Sequence, residues 1–314
     1  MLFVAVGTPT YAQGDKPSSD EIWYTTTDGK VVNPSNPEAF GSKILSNTYR
    51  NGKGVIIVEA DSIVEIGKKA FNGCKNLKSI TIPDSVTEIE LEAFSGCSSL
   101  TDTYVNITDL SAYATGNMTS LFHPGVKHLM IDDTEITELV IPDGVTWIGD
   151  WAFRGCSSLT SITIPDSVTE IGYGAFSGCT SLTNFYGKFA SEDGRCLIVD
   201  GKLVAFAPFG LTQYSIPDGV TEIGDYAFYK CSSLTRVTIP DSVTSIGRSA
   251  FFDCESLIKV YCKPTTPPSA GNYSMFDYNA SGRRIYVPRG SVNAYKNAEN
   301  WRAYDDAIVG YDFK

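Results

Sequence analysis

Ile80-Thr81-Ile82-Pro83-Asp84-Ser85-Val86-Thr87-Glu88-Ile89 recurs unchanged as Ile162–Ile171, and looser copies run Leu139–Ile148, Tyr214–Ile223 and Val237–Ile246. An Ala-Phe-x-x-Cys-x-x-Leu tail follows each copy, and such tails place cysteines at Cys74, Cys97, Cys156, Cys179, Cys231 and Cys254. Three of the gaps between these cysteines are 23 residues. A fixed period in the twenties belongs to a solenoid, in which each coil buries its apolar face only against its neighbours.

Aligned, the copies give Leu-x-x-Ile-x-Ile-Pro-x-x-Val-x-x-Ile-Gly-x-x-Ala-Phe-x-x-Cys-x-x-Leu. The opening Leu-x-x-Ile-x-Ile is a leucine-rich repeat signature. Alternation sends its two Ile inward and the residue between them outward. Pro, lacking an N–H, ends the strand, and Pro-Asp supplies a turn. The Gly after Ile reads as a tight bend. Ala-Phe-x-x-Cys-x-x-Leu has the spacing of a short helical turn with Phe as core filler. The expected fold is a leucine-rich repeat solenoid, with parallel β-strands on one face, short turns and helical turns on the other, and a cap at both ends.

The domain reading places a tail or signal-peptide remnant at 1–20, an N-terminal cap at 21–55 built on Trp23, Tyr24 and Phe40, and the solenoid at 56–262. Irregular inserts occupy 101–137 and 184–212, the second with a hairpin signal around Asp200-Gly201. From Pro264 the sequence abandons the repeat. The cap at 263–314 is expected to hold a strand at Arg284–Pro288 and a helix capped by Ser291 and running to Trp301.

The eight cysteines are read as small buried hydrophobes. Side chains one coil apart stack at about 4.8 Å and point the same way, whereas a disulfide needs facing Cβ atoms near 3.8 Å. Cys262 falls at an Ile position of a strand, and Cys196 lies in the second insert. No CxxC occurs, and His123 and His128 stand outside the cysteine column, so no metal site is expected. No cofactor motif is present, and no catalytic constellation emerges. The Asp of the Pro-Asp column (Asp84, Asp143, Asp166, Asp218, Asp241) is read as a turn former rather than a calcium ladder. A net charge of −11 argues against nucleic acid, and no apolar run reaches membrane-span length.

Ile-Pro-Asp-Ser-Val-Thr-Glu-Ile-Gly followed by Ala-Phe-Ser-Gly-Cys-Ser-Ser-Leu-Thr resembles the BspA-type leucine-rich repeat. The resemblance implies a secreted or cell-surface bacterial protein that binds a host or microbial surface protein in adhesion, without catalysis. It supplies no catalytic residue. The alternative is a glycan-binding protein using exposed aromatics, and a weaker third is a hydrolase with its site in an insert.

Candidate binding residues are those that break the monotony of Ser and Thr on the strand face: Tyr104, Tyr186, Arg236, Lys259 and Tyr261. Trp147 stands in the column of Glu65, Glu88, Glu170 and Glu222, and Trp151 in that of Lys69, Glu92 and Tyr226. Together they read as an exposed aromatic pair. Specificity is expected in the inserts, because identical coils present identical surfaces.

Overall fold

The computed structural model describes residues 17–83, 85–86, 88–90, 92–107, 128–131, 134–272 and 274–313. The 1–16 part of the tail, most of the first insert, Asp84 and His123 lie outside the described residues. The chain divides into two compact units, Met1–Thr108 with Met130–Glu135, and Asp109–Leu129 with Ile136–Lys314. Both are built on parallel-strand leucine-rich repeat coils.

In the first unit, Leu77–Ile82 pairs in parallel with Asp102–Ile107 one coil on. The strand Glu21–Thr26 covers its other edge, running antiparallel with Thr25 opposite Ser79. Lys53–Val58 and then Ile44–Arg50 extend this antiparallel layer. The boundary at 55/56 therefore falls inside a strand. Trp23, Tyr24 and Phe40 are buried there. Ser79, expected on the solvated strand face, is buried because Thr25 lies over it, with the two hydroxyl oxygens 2.6 Å apart.

The second unit holds the longer run of coils. Glu138–Val140, Ser161–Ile164 and Asn184–Gly187 form one parallel ladder. Gln213–Ser215, Arg236–Ile239 and Lys259–Cys262 form the next. Inward Ile162, Ile164, Val237, Ile239, Val260 and Cys262 are at most 1% exposed, as the alternation requires. After each Pro the chain turns, with the Val three residues on donating back to the Pro carbonyl, as in Val168 N to Pro165 O at 3.2 Å. At the corner that opens each coil, threonine hydroxyls donate to the carbonyl one coil back, as in Thr183 to Thr160 at 2.7 Å and Thr235 to Thr212 at 2.7 Å.

Each coil then forms a second, shorter ladder from the x-Ile of Val-x-x-Ile. Trp147–Ile148 pairs with Glu170–Ile171, and Lys202–Phe206, Glu222–Ile223, Ser245–Ile246 and Ser269–Ala270 pair in sequence. Cys196–Val199 folds antiparallel onto Lys202–Phe206 through Asp200 (φ 49°) and Gly201 (φ 80°), the hairpin signalled by Asp-Gly.

The glycine after this Ile does not make a left-handed bend. Gly172, Gly224 and Gly247 have ordinary φ, and a Cβ at Gly172 or Gly247 would overlap the backbone of Asp150 or Asp225 in the preceding coil. Close approach of neighbouring coils, not bending, selects glycine here. The left-handed residues lie further on, at Lys69, Glu92, Trp151, Tyr226 and Ser249, and again just before each cysteine at Gly73, Gly96, Gly155, Gly178, Lys230 and Asp253. These interruptions make the Ala-Phe segment a run of turns rather than a helical turn. It still joins its neighbours, with Phe153 N donating to Ala175 O and Gly155 N to Ser177 O, both at 2.8 Å.

The phenylalanines of this segment stack along the core. Phe153 and Phe176 lie 5.5 Å apart, Phe228 and Phe251 4.8 Å, and Phe251 and Phe276 5.2 Å, each pair within 18° of parallel. All eight cysteines are buried and free. Cys97, Cys179 and Cys254 each donate to the Phe carbonyl of the preceding coil, at 3.0, 3.1 and 3.0 Å. Burial pushes the Cys97 and Cys179 thiols up to about 12. Cys196 and Cys262 are likewise pushed up to about 12 by burial, and face Tyr214 and Tyr295.

The repeat continues in space where its sequence lapses. Arg284–Pro288 pairs in parallel with Lys259–Cys262, and Ile308–Tyr311 pairs with Arg284–Pro288. Met275 and Phe276 take the Ala-Phe place, with Phe251 N donating to Met275 O. The helix is shorter than expected, Val292–Asn297, because Ala298 is extended. Ser291 does not cap it, since its hydroxyl donates to Thr265 O at 2.6 Å. Trp301 lies beyond it, buried, with Nε1 donating to Pro268 O at 2.7 Å.

Candidate binding surfaces

The long-strand ladder brings together three of the expected residues and adds others. Arg236 stands opposite Lys259, and Lys259 opposite Arg284. In the neighbouring outward column Thr238, Tyr261, Tyr286 and Val309 follow one another. The Tyr261 and Tyr286 rings stack at 4.7 Å and 13°. Tyr311 meets both edge-on, at 5.3 and 5.6 Å, and Phe313 lies 5.0 Å from Tyr311. The Arg236 guanidinium sits 5.5 Å from the centre of the Tyr261 ring. Sequence reading missed Arg284, Tyr286, Tyr311 and Phe313. Aligning Arg284-Ile285-Tyr286-Val287 with Lys259-Val260-Tyr261-Cys262 was the available signal.

Trp147 and Trp151 are not brought together. Trp147 lies on the short ladder opposite Glu170 and is 40% exposed. Trp151 lies beyond that strand, in the turns that follow it, at a left-handed φ of 59°, and is half-buried. Its ring meets Tyr173 at 5.3 Å and Tyr226 at 4.6 Å, with the Arg154 guanidinium 4.7 Å from its centre. It reaches across to Tyr226 because Gly174 stands between, where a Cβ would overlap the indole. Arg154 also donates to Tyr229 Oη at 3.4 Å.

Tyr186 stands opposite Thr163 and is exposed. Tyr104 lies in the strand Asp102–Ile107 opposite Thr81, and its side chain lies outside the described residues.

The hairpin interrupts the short ladder. Glu170–Ile171 pairs with Trp147–Ile148 in a sheet of two strands, separate from the sheet that holds Lys202–Phe206. A groove of about 520 Å³ opens beside it, lined by Thr169, Glu170, Tyr173, Asp200, Lys202 and Glu222 among others. Lys202 is bonded to Glu222 at 2.6 Å. Burial and the Asp150 carboxylate raise the Tyr173 hydroxyl above its ordinary value.

Among the described residues no group of three or more His, Cys, Asp or Glu is placed to hold a metal ion. Asp143, Asp166, Asp218 and Asp241 are exposed turn residues. Among those residues, too, no helix is long and apolar enough to cross a membrane.

Residues 39–123, 129–189 and 203–298 match the model of the BspA type leucine-rich repeat region, in six copies. The chain belongs to this family. No curated protein matches it. Among solved structures, this BspA-type chain is similar to a leucine-rich cell surface protein from Faecalibacterium prausnitzii (22% identity, 85% of this chain and 86% of that one, TM-score 0.37). It is also similar to a leucine-rich repeat protein from Bacteroides ovatus (24% identity, 85% and 72%, TM-score 0.32). A leucine-rich repeat protein from T. pallidum is 29% identical over 49% of this chain and 60% of its own, at a TM-score of 0.27.

Proposed function

We propose that this chain is a non-catalytic module, displayed at the cell surface or secreted, that binds a host or microbial surface protein in adhesion. The observation that carries this reading is the patch of Arg236, Lys259, Arg284, Tyr261, Tyr286 and Tyr311 on the long-strand ladder. Tyr and Arg are enriched at protein–protein hot spots, where a few such residues dominate the affinity. Membership of the BspA-type family supports display or secretion, and a repeat solenoid typically serves as a binding scaffold. To test it, the immobilised chain is offered mucosal extract beside a Tyr261→Ala/Tyr286→Ala variant. Captured protein should fall by about tenfold, the loss of a single hot spot or more. Undiminished capture by the variant sinks the patch.

The groove favours a second reading, glycan binding. Tyr173 is an exposed aromatic in the groove's wall, Trp147 is exposed on the strand paired with the one that lines it, and the carboxylates offer acceptors to sugar hydroxyls. A glycan array in which Trp147→Ala and Tyr173→Ala abolish a signal would select it over the first.

A further inference from the structure

We infer that the partner meets the long-strand patch with an acidic, extended polypeptide segment. This rests on the protein-binding reading above and adds the chemistry of the partner's side. Register sets Arg236, Lys259 and Arg284 side by side in one outward column, with Gln213 before them. At the strand spacing of about 4.8 Å, their attachment points span roughly 10 Å. Among the described residues, no carboxylate pairs with Arg236 or Lys259. Arg284 donates to the main-chain carbonyl of Asp306 at 2.8 Å and, among the described residues, forms no ion pair with a carboxylate. By contrast, Lys69, Lys202, Lys230 and Arg289 are each paired with an acid. On a chain of net charge −11, this column is a local reversal of sign. It attracts an anion and orients it, because the rest of the surface repels it.

The tyrosines decide between a neutral sugar and an acidic group. A sugar stacks on a free ring face. One face of Tyr261 is taken by Tyr286, and the Arg236 guanidinium lies over the ring as well. Beside those occupied ring faces the patch offers hydrogen-bond donors: guanidinium, ammonium and phenolic hydroxyl. Carboxylates are acceptor-only and complete such a set. The column is also short. A uniformly anionic polysaccharide would extend past it over a chain whose net charge is −11, whereas a polypeptide can place a few acids on the cations and neutral residues beyond.

The probe is a poly-L-glutamate peptide, with heparin as the polysaccharide arm. Wild type is compared with Arg236→Gln/Lys259→Gln/Arg284→Gln and with Tyr261→Phe/Tyr286→Phe, each verified as folded by the resistance of its thiols to alkylation. Poly-L-glutamate should bind wild type saturably, about tenfold more weakly in the triple variant, and more weakly as salt rises. The double Phe variant, which keeps the rings and loses the donors, should bind it more weakly than wild type. Equal binding by wild type and triple variant overturns the inference. So does tighter, patch-dependent binding of heparin. If poly-L-glutamate fails while capture from mucosal extract still depends on Tyr261 and Tyr286, the acidic chemistry is wrong and the protein-binding reading stands. If both fail, both fall.

Discussion

At the scale of the residue, the cysteine column shows how one side chain serves the repeat. Cys254 is fully buried, and its thiol donates to the Phe228 carbonyl, an acceptor at a turn that the strand ladders do not reach. Serine would donate as well but would bring a stronger desolvation penalty; alanine would leave that carbonyl with the Cys231 N–H alone, at 3.2 Å. Burial holds the thiols of Cys74, Cys97, Cys156, Cys179 and Cys231 protonated, which makes them poor nucleophiles. Cys97, Cys179, Cys196 and Cys262 are pushed up to about 12. Thiols of the unfolded chain ionise near pH 8.5, so above that pH the unfolded state binds fewer protons than the folded one. Stability should therefore be flat below about pH 8.5 and fall above it, by up to about 1.4 kcal/mol per pH unit for each such thiol. Thermal melts from neutral to alkaline pH measure this. Iodoacetamide should leave the native chain unlabelled and modify all eight cysteines once it is denatured. Native labelling would show that the column is open.

At the scale of the element, the two-sided argument from alternation and breakers located most of the coil. Val237, Ile239, Val260 and Cys262 point inward because the period of two leaves no other choice. The Pro-Asp turn was equally legible, since Pro has a single φ and no N–H. The glycine after Ile was misread, because sequence cannot separate a glycine that bends from one that makes room for the neighbouring coil. The strands Arg284–Pro288 and Ile308–Tyr311 continue the ladder although the repeat text has lapsed, since a ladder requires only apolar alternation and a free edge. Half of the binding patch was lost to sequence reading for that reason. Trp147 and Trp151 were joined by a spacing of four, which places residues on one face in a helix but here sets one in a short strand and the other in the turns after it. The hairpin offers the element-scale test. Gly201 has φ 80°, and a Cβ would come within 2.9 Å of Thr221 Oγ1. Gly201→Val should destabilise the chain by about 1–3 kcal/mol, the range for strain at a left-handed position. It should also reshape the groove beside Asp200. Urea denaturation reads the first effect, and an unchanged midpoint would show that the turn adopts another type.

At the scale of the whole molecule, a solenoid's stability is a sum of coil and interface contributions, so a run of coils can stand without the rest. The second unit has what such independence needs. One core cluster runs from Cys196 and Leu203 through Phe228, Phe251 and Phe276 to Ile285, Trp301 and Ile308, all 3% exposed or less. Its far end is closed by Val292–Asn297 and Ile308–Tyr311. Its first strand, Glu138–Val140, is the edge of its three-stranded sheet, and the exposed Val140 makes that edge a pairing hazard. A fragment of residues 136–314 should therefore fold with strand-dominated circular dichroism and one cooperative unfolding transition, and self-associate unless Val140 is replaced by Lys. Because Arg236, Lys259, Tyr261, Arg284 and Tyr286 all lie within it, the fragment should retain the patch-dependent capture of the full chain. A fragment that stays unfolded with Val140→Lys would mean that the coils of the second unit depend on the first for their stability. One that folds but loses capture would place the contact in the coils before residue 136, where Tyr104 lies.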